Sequence, residues 1–343
     1  MKISRTLRGG AVALAAAAVV VGASQARSGD HQGNTSHVPK TIVLPGDTLF
    51  PEGMGLDAKR GQYFVGAIGG GAVLTGKVDE ATATVFSPAG ADGRTAALGA
   101  RPDHRRVFVG SFGSGKIWIY DERSAKLIAV LDTGLPSSVL NDFSFLRDGT
   151  AFVTDSINPF LWRITFSRNG TPTLDKFLDF SGTAFVYGPG INADGIVTSP
   201  DGRFLVINQL STGDLFRVDV ATKAVTKIDV GGFDLTNADG MALDGSSLYV
   251  VRNANAQIVK VDMAPDFASG TVDTVTTSPA FLFPSAAIVV HTHDGHGGDD
   301  DEGGDENDEN GAGKLLVLNS QLDKFLGGGT PQLPFTITSI TQP

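Results

Sequence analysis

The sequence predicts an all-β protein, a six-bladed β-propeller with four-stranded blades. Three observations support this prediction. A strand–turn–strand pattern recurs along the chain, the recurrences are about 45 residues apart, and no long apolar pattern with a 3.6-residue period follows the N-terminal segment. Repeats of about 40–50 residues with four strands each are typical of propellers, in which every blade is one small antiparallel sheet.

The first 26 residues have the pattern of a secretory signal peptide. Three basic residues precede an uncharged apolar stretch from Ala11 to Ala23, and small residues precede a cleavage point after Ala26. This stretch is shorter than the roughly 20 apolar residues of a membrane span, so a retained anchor is the lesser alternative. We expect the mature protein to be secreted, to the periplasm or outside the cell, with no membrane span. Residues 27–40 are polar and are predicted to be a flexible lead-in.

Six stretches contain the repeated pattern, each opening with a β-branched and aromatic run. They are "GQYFVGAIGGGAVLTGKVD" from Gly61, "RVFVGSFGSGKIWIYD" from Arg106, "TAFVTDSINPFLWRIT" from Thr150, "RFLVINQLSTGDLFRVD" from Arg203, "SLYVVRNANAQIVKVD" from Ser247 and "KLLVLNSQLDKF" from Lys314. Another short apolar run precedes each stretch, and one more follows each of the first five. The units therefore supply about four strands each and begin near residues 52, 96, 141, 194, 239 and 285.

The two ends of the chain are predicted to close the ring. The last unit contains only three strands, "AAIVV", "KLLVLN" and "FTITSI", whereas "KTIVLP" from Lys40 is a strand without a unit. An open ring would leave two sheet edges exposed to aggregation. We therefore expect the N-terminal strand to complete the sixth blade, so that the propeller spans residues 41–343.

Composition excludes several classes of function. The chain has no cysteine, so disulfides and a thiol nucleophile are ruled out. The net charge is −10 and no basic stripe is present, which argues against nucleic acid as a partner. "GSFGSGKI" from Gly110 resembles a phosphate-binding loop but leads into a strand, and we interpret it as a hairpin turn.

An acidic insertion interrupts the sixth unit at residues 291–313, between its first two strands. It contains His291, His293 and His296 and nine acidic residues but no large apolar residue, so it is predicted to be a disordered surface loop. Its histidines could capture Zn²⁺ or Cu²⁺. A solvated loop without a metal is the simpler interpretation.

A carboxylate or carboxamide recurs where four of the six units begin. "NADG" precedes an apolar run in units four and five, and the four matching residues are Glu52, Asn141, Asp194 and Asp239. In a propeller the first strand of each blade lines the central channel, so these side chains are expected to converge at one mouth. Like charges buried together repel, and a divalent cation relieves that repulsion. Hard oxygen ligands without His or Cys favour Ca²⁺ first, then Mg²⁺, with Mn²⁺ or Zn²⁺ as further alternatives.

A competing explanation is turn chemistry. Asp caps its own backbone and Gly accepts a positive φ, so Asp-Gly before a strand is common without any ion. Each residue taken alone favours the turn, whereas all four in matched positions favour the metal site. Near Ala96 and near Ser285, where units two and six begin, we find no useful ligand.

At these residues the chain resembles the SMP-30/gluconolactonase/LRE group of six-bladed propellers. The similarity rests on "PEG" in unit one, "ND" in unit three, "DGI" in unit four and "ADGMALD" in unit five. It implies one divalent ion at the channel mouth, held by Glu52, Asp194 and Asp239, with Asn141 near the ion or the substrate. In the enzymes of that group the ion polarises a lactone carbonyl and a carboxylate like Asp239 assists attack by water.

The chain departs from that group in three places. Asp194 stands where the group usually has Asn, which strengthens cation binding and weakens Lewis acidity. Val139 stands where sugar-lactone members often have Arg, so a polyhydroxylated substrate loses a hydrogen-bond donor. Phe143 replaces Gly after "ND".

Two functional hypotheses follow from the sequence. The first is a monomeric, metal-dependent hydrolase of lactones or related esters, with Asp239 as the catalytic residue. The second is a non-enzymatic propeller in which the ion is structural and the mouth binds a ligand or a protein. Val139 and Asp194 favour the second hypothesis mildly.

Overall fold

The computed structural model describes residues 37–291 and 313–343 of the chain. The predicted signal peptide, most of the lead-in and residues 292–312 of the acidic insertion lie outside these residues. In the part that is described, no helix is long and apolar enough to cross a membrane.

The described chain consists of 25 strands with almost no helix. The strands are β1 (Thr41–Leu44), β2 (Pro51–Asp57), β3 (Gln62–Ala67), β4 (Val73–Lys77), β5 (Thr84–Ser87), β6 (Ala100–Asp103), β7 (Arg106–Val109), β8 (Ser111–Phe112), β9 (Lys116–Asp121), β10 (Leu127–Asp132), β11 (Val139–Phe145), β12 (Ala151–Asp155), β13 (Phe160–Phe166), β14 (Pro172–Asp179), β15 (Ala193–Thr198), β16 (Phe204–Gln209), β17 (Asp214–Asp219), β18 (Val225–Lys227), β19 (Ala238–Asp244), β20 (Ser247–Arg252), β21 (Gln257–Met263), β22 (Gly270–Thr277), β23 (Pro284–Val290), β24 (Lys314–Asn319) and β25 (Phe335–Thr341). One short 3₁₀ turn (Ala91–Gly93) and one helix, α1 (Leu322–Gly327), interrupt them.

The strands form six antiparallel sheets, which confirms the predicted six-bladed propeller. From the channel outward the sheets are β2-β3-β4-β5, β6-β7-β9-β10, β11-β12-β13-β14, β15-β16-β17-β18, β19-β20-β21-β22 and β23-β24-β25-β1. The innermost strands contact one another in ring order, and the sixth meets the first where Ser285 Oγ donates to the Glu52 carbonyl at 2.6 Å. The short strand β8 also pairs with β11 and so links the second and third blades.

The start of the described chain supplies the outermost strand of the sixth sheet. β1 pairs antiparallel with β25 from Thr41 opposite Thr338 to Leu44 opposite Phe335. The acidic insertion falls between β23 and β24 of the same sheet. The sixth sheet is therefore built from both ends of the described chain.

The hydrophobic core lies between neighbouring sheets. Alternating strand residues point to opposite faces, so each sheet contributes one apolar set to each of its two interfaces. Six clusters of buried side chains follow this pattern. One of them, around Ile42, Leu44 and Phe335, joins the sixth sheet to the first. The core therefore forms a ring around the channel.

A buried carboxyl group joins the first two blades away from the channel. Glu122 is 6% exposed and lies 3.7 Å from Arg60 Nη1. Burial, and then the neighbouring Asp57, raises the pKa of Glu122 to about 7. The folded state therefore binds a proton at Glu122 more tightly than the unfolded chain does. The stability from this proton is complete below the ordinary pKa of 4.5 and is lost as the pH rises through about 7.

Glu122→Gln is expected to make stability less dependent on pH. At about pH 8 the variant should melt at a higher temperature than the wild type, because the neutral amide removes the buried charge. At about pH 4 the two proteins should melt alike. Calorimetric melting at both pH values checks this, with Asp47→Asn as a control at an exposed loop position. A lower melting temperature of the variant at about pH 8 would contradict the prediction.

Candidate metal centre

The four predicted residues lie at matched β-bulges in the innermost strands. At each bulge two residues oppose one residue of the second strand of the blade. The bulged pairs are Glu52–Gly53 in β2, Asn141–Asp142 in β11, Asp194–Gly195 in β15 and Asp239–Gly240 in β19. A bulge re-aims side chains out of the regular alternation, and here it turns one side chain of each pair into the channel.

The structure corrects the expectation that these residues occupy turns before the innermost strands. They lie inside the strands, and Gly53, Gly195 and Gly240 have no positive φ. These glycines are needed for close approach instead. A Cβ on Gly53 would lie 2.6 Å from Gly99 Cα, and a Cβ on Gly240 would lie 2.6 Å from the Ser285 carbonyl oxygen. The recurring Gly lets neighbouring blades converge around the channel.

In the second blade the matching position is occupied by Leu98, rather than by the residues near Ala96 that the sequence favoured. β6 begins at Ala100, directly after Leu98 and Gly99. The Leu98 amide donates to the Gly110 carbonyl at 3.3 Å, and the Gly99 amide donates to the Asn141 carbonyl at 2.9 Å. The second blade therefore contributes an apolar side chain where others contribute a carboxylate.

Three carboxyl groups meet in the channel. Glu52, Asp194 and Asp239 each have an oxygen within 4.8 Å of the others, and their exposed fractions are 7%, 3% and 4%. Three carboxylates in so small a buried volume repel one another strongly. We call this group the carboxylate triad.

Asn141, the fourth predicted residue, contacts the triad through its amide. Its Nδ2 donates to Asp194 Oδ1 at 2.8 Å and to Ser156 Oγ at 3.1 Å. The structure thus brings all four predicted residues together.

An arginine–carboxylate pair adjoins the triad. Arg101 Nε donates to Asp142 Oδ1 at 2.7 Å, and Nη2 donates to Asp142 Oδ2 at 2.6 Å. Both side chains line the same small cavity as the triad. The sequence analysis missed this pair, although "ND" contains Asp142, because its partner is 41 residues away on another blade. Since the pair neutralises itself, the triad keeps its excess of negative charge.

The pKa values of the triad express this excess. Burial is the main cause for each residue. It raises the pKa of Asp239 to about 7, and hydrogen bonds from Asn253 and the Gly240 amide oppose the shift. The pKa of Asp194 and that of Glu52 are raised well above their ordinary values, by burial and then by the other acidic groups, and Arg101 partly offsets the rise at Glu52. Without a counter-charge, the folded protein favours protonated forms of these acids.

The residues present fit a hard divalent cation. Glu52 Oε2 is buried and has no hydrogen-bond partner among residues 37–291 and 313–343, which is costly for a carboxylate oxygen. The triad offers oxygen ligands only, as Ca²⁺ and Mg²⁺ prefer. The cavity that they line has a volume of about 10 Å³. That space suits a single ion rather than an organic molecule.

Asn253, which directly follows β20 in the same blade, supports Asp239. Its Nδ2 donates to Asp239 Oδ2 at 2.7 Å. Asn192 and Asn237 are the first residues of the two "NADG" sequences, and their side-chain amides bond to neighbouring loops. Asn192 holds the Gly188–Gly190 backbone, and Asn237 donates to Asn255 Oδ1 at 2.9 Å.

Comparisons with known proteins show the fold. No family model matches the chain, and no curated protein matches it significantly. Among solved structures, the allergen Mala s 1 of Malassezia sympodialis aligns with a TM-score of 0.61 at 12% identity, covering 88% of this chain and 96% of that one. These figures show similarity of architecture without similarity of sequence.

Two further solved structures are similar in fold. A gluconolactonase from Xanthomonas campestris aligns with a TM-score of 0.57 at 16% identity, covering 88% of this chain and 89% of that one. Regucalcin, a calcium-binding protein from Agrobacterium tumefaciens, aligns with a TM-score of 0.56 at 16% identity, covering 88% and 97%. The fold of this chain is thus similar to those of a lactone-related enzyme and of a calcium-binding protein.

Proposed function

We propose that this protein binds a divalent cation, Ca²⁺ first, at the carboxylate triad and uses it to hydrolyse lactones or related esters. The observation behind the proposal is the convergence of three buried carboxyl groups within 4.8 Å in the channel. The fold similarity to a gluconolactonase and to a calcium-binding regucalcin supports it. Membership of the SMP-30/gluconolactonase/LRE group belongs to the same proposal.

The triad and its neighbours divide the roles. Glu52, Asp194 and Asp239 would hold the ion, with Asn141 bonded to Asp194 beside it. A bound divalent cation supplies positive charge that polarises a lactone or ester carbonyl. Asp239 would take the proton from the attacking water and return it to the alkoxide that leaves when the acyl C–O bond breaks, and Asn253 fixes the orientation of its carboxylate.

Export is a further part of the proposal. The first 26 residues carry the signal-peptide pattern, and the mature protein would act as a secreted monomer, with no nucleic-acid partner. Export, the monomeric state and the lack of a nucleic-acid partner are inferred from the sequence alone.

Metal content tests the cation site. Purified mature protein with residues 292–312 replaced by a short linker should retain about one equivalent of Ca²⁺ or a similar ion after dialysis, because the replacement leaves the three triad residues in place. The Asp194→Ala/Asp239→Ala variant in the same background should retain none. Elemental analysis measures both. A loop-deleted wild type without metal would contradict the proposed site.

Turnover tests the hydrolase. Asp239→Asn should lower kcat for lactone or ester hydrolysis by about 100-fold or more, since general-base assistance contributes about 10²–10⁴-fold. The melting temperature should show that the variant is folded. Asp244→Asn, at the far end of the same strand β19, is the matched control and should leave kcat unchanged. Unchanged turnover in Asp239→Asn would remove Asp239 from the mechanism.

A non-enzymatic function is the second candidate, and one observation favours it. The cavity at the triad, about 10 Å³, holds an ion but no substrate as long as the mouth keeps the arrangement described here. In this case the ion would be structural and the mouth would bind a ligand or a protein. A screen that finds tight Ca²⁺ but no lactone or ester turnover would decide for this candidate.

A further inference from the structure

An apolar cluster lies beside the carboxylate triad, and we call it the mouth cluster. Its buried members are Ile68, Ala96, Leu98 and Val139, and the side chains of Phe50 and Leu322 pack against them. None of these six side chains carries a polar group. The mouth cluster is therefore an apolar neighbour of the residues that line the triad cavity.

The position of the mouth cluster follows from the chain. Phe50 lies two residues before Glu52, and Val139 lies two residues before Asn141. Two residues of extended chain span about 7 Å. Leu98 occupies the place of a triad carboxylate in the second blade. These positions place the mouth cluster next to the triad on the side of the first three blades.

Leu322 shows what kind of group the mouth cluster accepts. It is the first residue of α1, which belongs to the connection between β24 and β25 of the sixth blade. Its branched alkyl side chain packs against the cluster from another part of the ring. The structure thus contains one alkyl side chain that packs against the mouth cluster.

The helix α1 packs against the propeller with little buried apolar surface. Leu326 is 74% exposed and Phe325 is 39% exposed, although the Phe325 ring contacts Phe50 at a centroid distance of 5.1 Å. The helix has only six residues, begins after Gln321 at φ 54° and ends at Gly328 at φ 67°. None of the six residues of α1 is fully buried. Segments with few buried apolar contacts open at a low free-energy cost.

We propose that the substrate of the triad carries an apolar alkyl or aryl group, which replaces Leu322 in the mouth cluster when α1 lifts. This inference rests on the proposed function and names its substrate class. The substrate is an alkyl- or aryl-substituted lactone or ester, not a polyhydroxylated sugar lactone. Sugar hydroxyls would be buried against six side chains that have no hydrogen-bonding group, and unpaired buried hydroxyls are unfavourable.

Binding of unreactive analogues tests the substrate class without depending on turnover. γ-Lactams carrying alkyl chains of increasing length should bind the Ca²⁺-loaded full-length mature protein about fourfold more tightly per added methylene until the cluster is filled. Calorimetry or ligand-induced melting shifts measure this series. Affinity that does not change with chain length would overturn the inference.

Three variants locate the effect. Leu322→Ala removes the competing side chain and should tighten binding of the longer lactams by about tenfold. Leu326→Ala on the same helix is the matched control and should not change binding, because Leu326 is outside the cluster. Val139→Thr keeps the shape but adds a hydroxyl, so the gain per methylene should fall. Equal effects of Leu322→Ala and Leu326→Ala would contradict a role for the cluster.

Turnover of the matching lactones separates this inference from the proposed function. Hydrolysis of alkyl lactones with higher kcat/KM than gluconolactone would support both. Preference for gluconolactone would overturn the substrate class and leave the hydrolase intact. Chain-length-dependent lactam binding without any hydrolysis would overturn the hydrolase and keep the apolar ligand class.

Discussion

At about pH 8, Ca²⁺ at about 100 times its Kd should raise the melting temperature of the protein by roughly 4 °C. Binding to the folded state alone at that concentration contributes about 2.7 kcal/mol, and a propeller of this size unfolds with a large entropy change. The gain should be smallest in acid. There the triad holds protons, which compete with the ion.

The stabilisation by Ca²⁺ should increase with pH, whereas the stability of the ion-free protein should decrease with pH. Because the folded-state pKa values of the triad are raised, the stability they contribute is complete below the ordinary values of 3.8 for Asp and 4.5 for Glu, and it falls as the pH rises through about 7 at Asp239. With chelator, the melting temperature should therefore decrease from about pH 5 to about pH 8. With Ca²⁺ this decrease should shrink or vanish.

Asp194→Asn separates charge repulsion from ion binding. Without Ca²⁺ at about pH 8 the variant should be more stable than the wild type, since one of three mutually repelling charges is gone. Its Ca²⁺ affinity should fall about tenfold, which removes about 1.4 kcal/mol of the ion's stabilisation. Asp47→Asn, on an exposed loop, is the control. If Ca²⁺ did not change the melting temperature of the wild type at any pH, this result would contradict the cation site.

Gly66→Ala should be among the most destabilising single substitutions, costing about 3 kcal/mol or more. A Cβ on Gly66, in β3, would lie 1.9 Å from the Leu98 carbonyl oxygen of the next blade. Gly110 has the same role one blade later, where a Cβ would lie 2.1 Å from the Leu140 carbonyl oxygen. Neither oxygen can withdraw easily, because Leu140 lies in the innermost strand β11 and Leu98 lies just before the innermost strand β6.

Urea unfolding of Gly66→Ala and Gly110→Ala measures the loss, and failure to obtain soluble protein would be the extreme form of the same result. Gly188→Ala is the matched control. Gly188 has no atom within 4 Å of its would-be Cβ and no positive φ, so the substitution should be nearly neutral. A Gly66→Ala variant as stable as Gly188→Ala would show that neighbouring blades can move apart at little cost.

The sequence predicted the parts of the fold that depend on local patterns. The alternating strands and their spacing of about 45 residues were enough to predict the six blades and the convergence of Glu52, Asn141, Asp194 and Asp239. The bulges were not predictable in this way, because a bulge is defined by pairing between two strands. Asp-Gly therefore suggested a turn. In the structure the Gly instead allows the backbones of neighbouring blades to approach closely.

Other features depend on contacts between distant residues. Arg101 and Asp142 are far apart in sequence and meet only because the second and third blades are neighbours. Leu98 has no acidic neighbour to mark its equivalence to Glu52, so the start of the second blade was placed too early. α1 has six residues in a Gly-rich connection, too few for a recognisable helical period.

The pairing of β1 with β25 has a consequence for the order of assembly. The first described strand to be synthesised is partnered by the last, so nearly the whole chain must exist before that sheet is complete. Until then Ile42 and Leu44 lack the apolar surface that covers them in the folded state, and the nascent ring has two unmatched ends. Contacts of such long sequence separation form slowly. A C-terminal truncation that removes β25 would therefore also leave β1 without its partner strand.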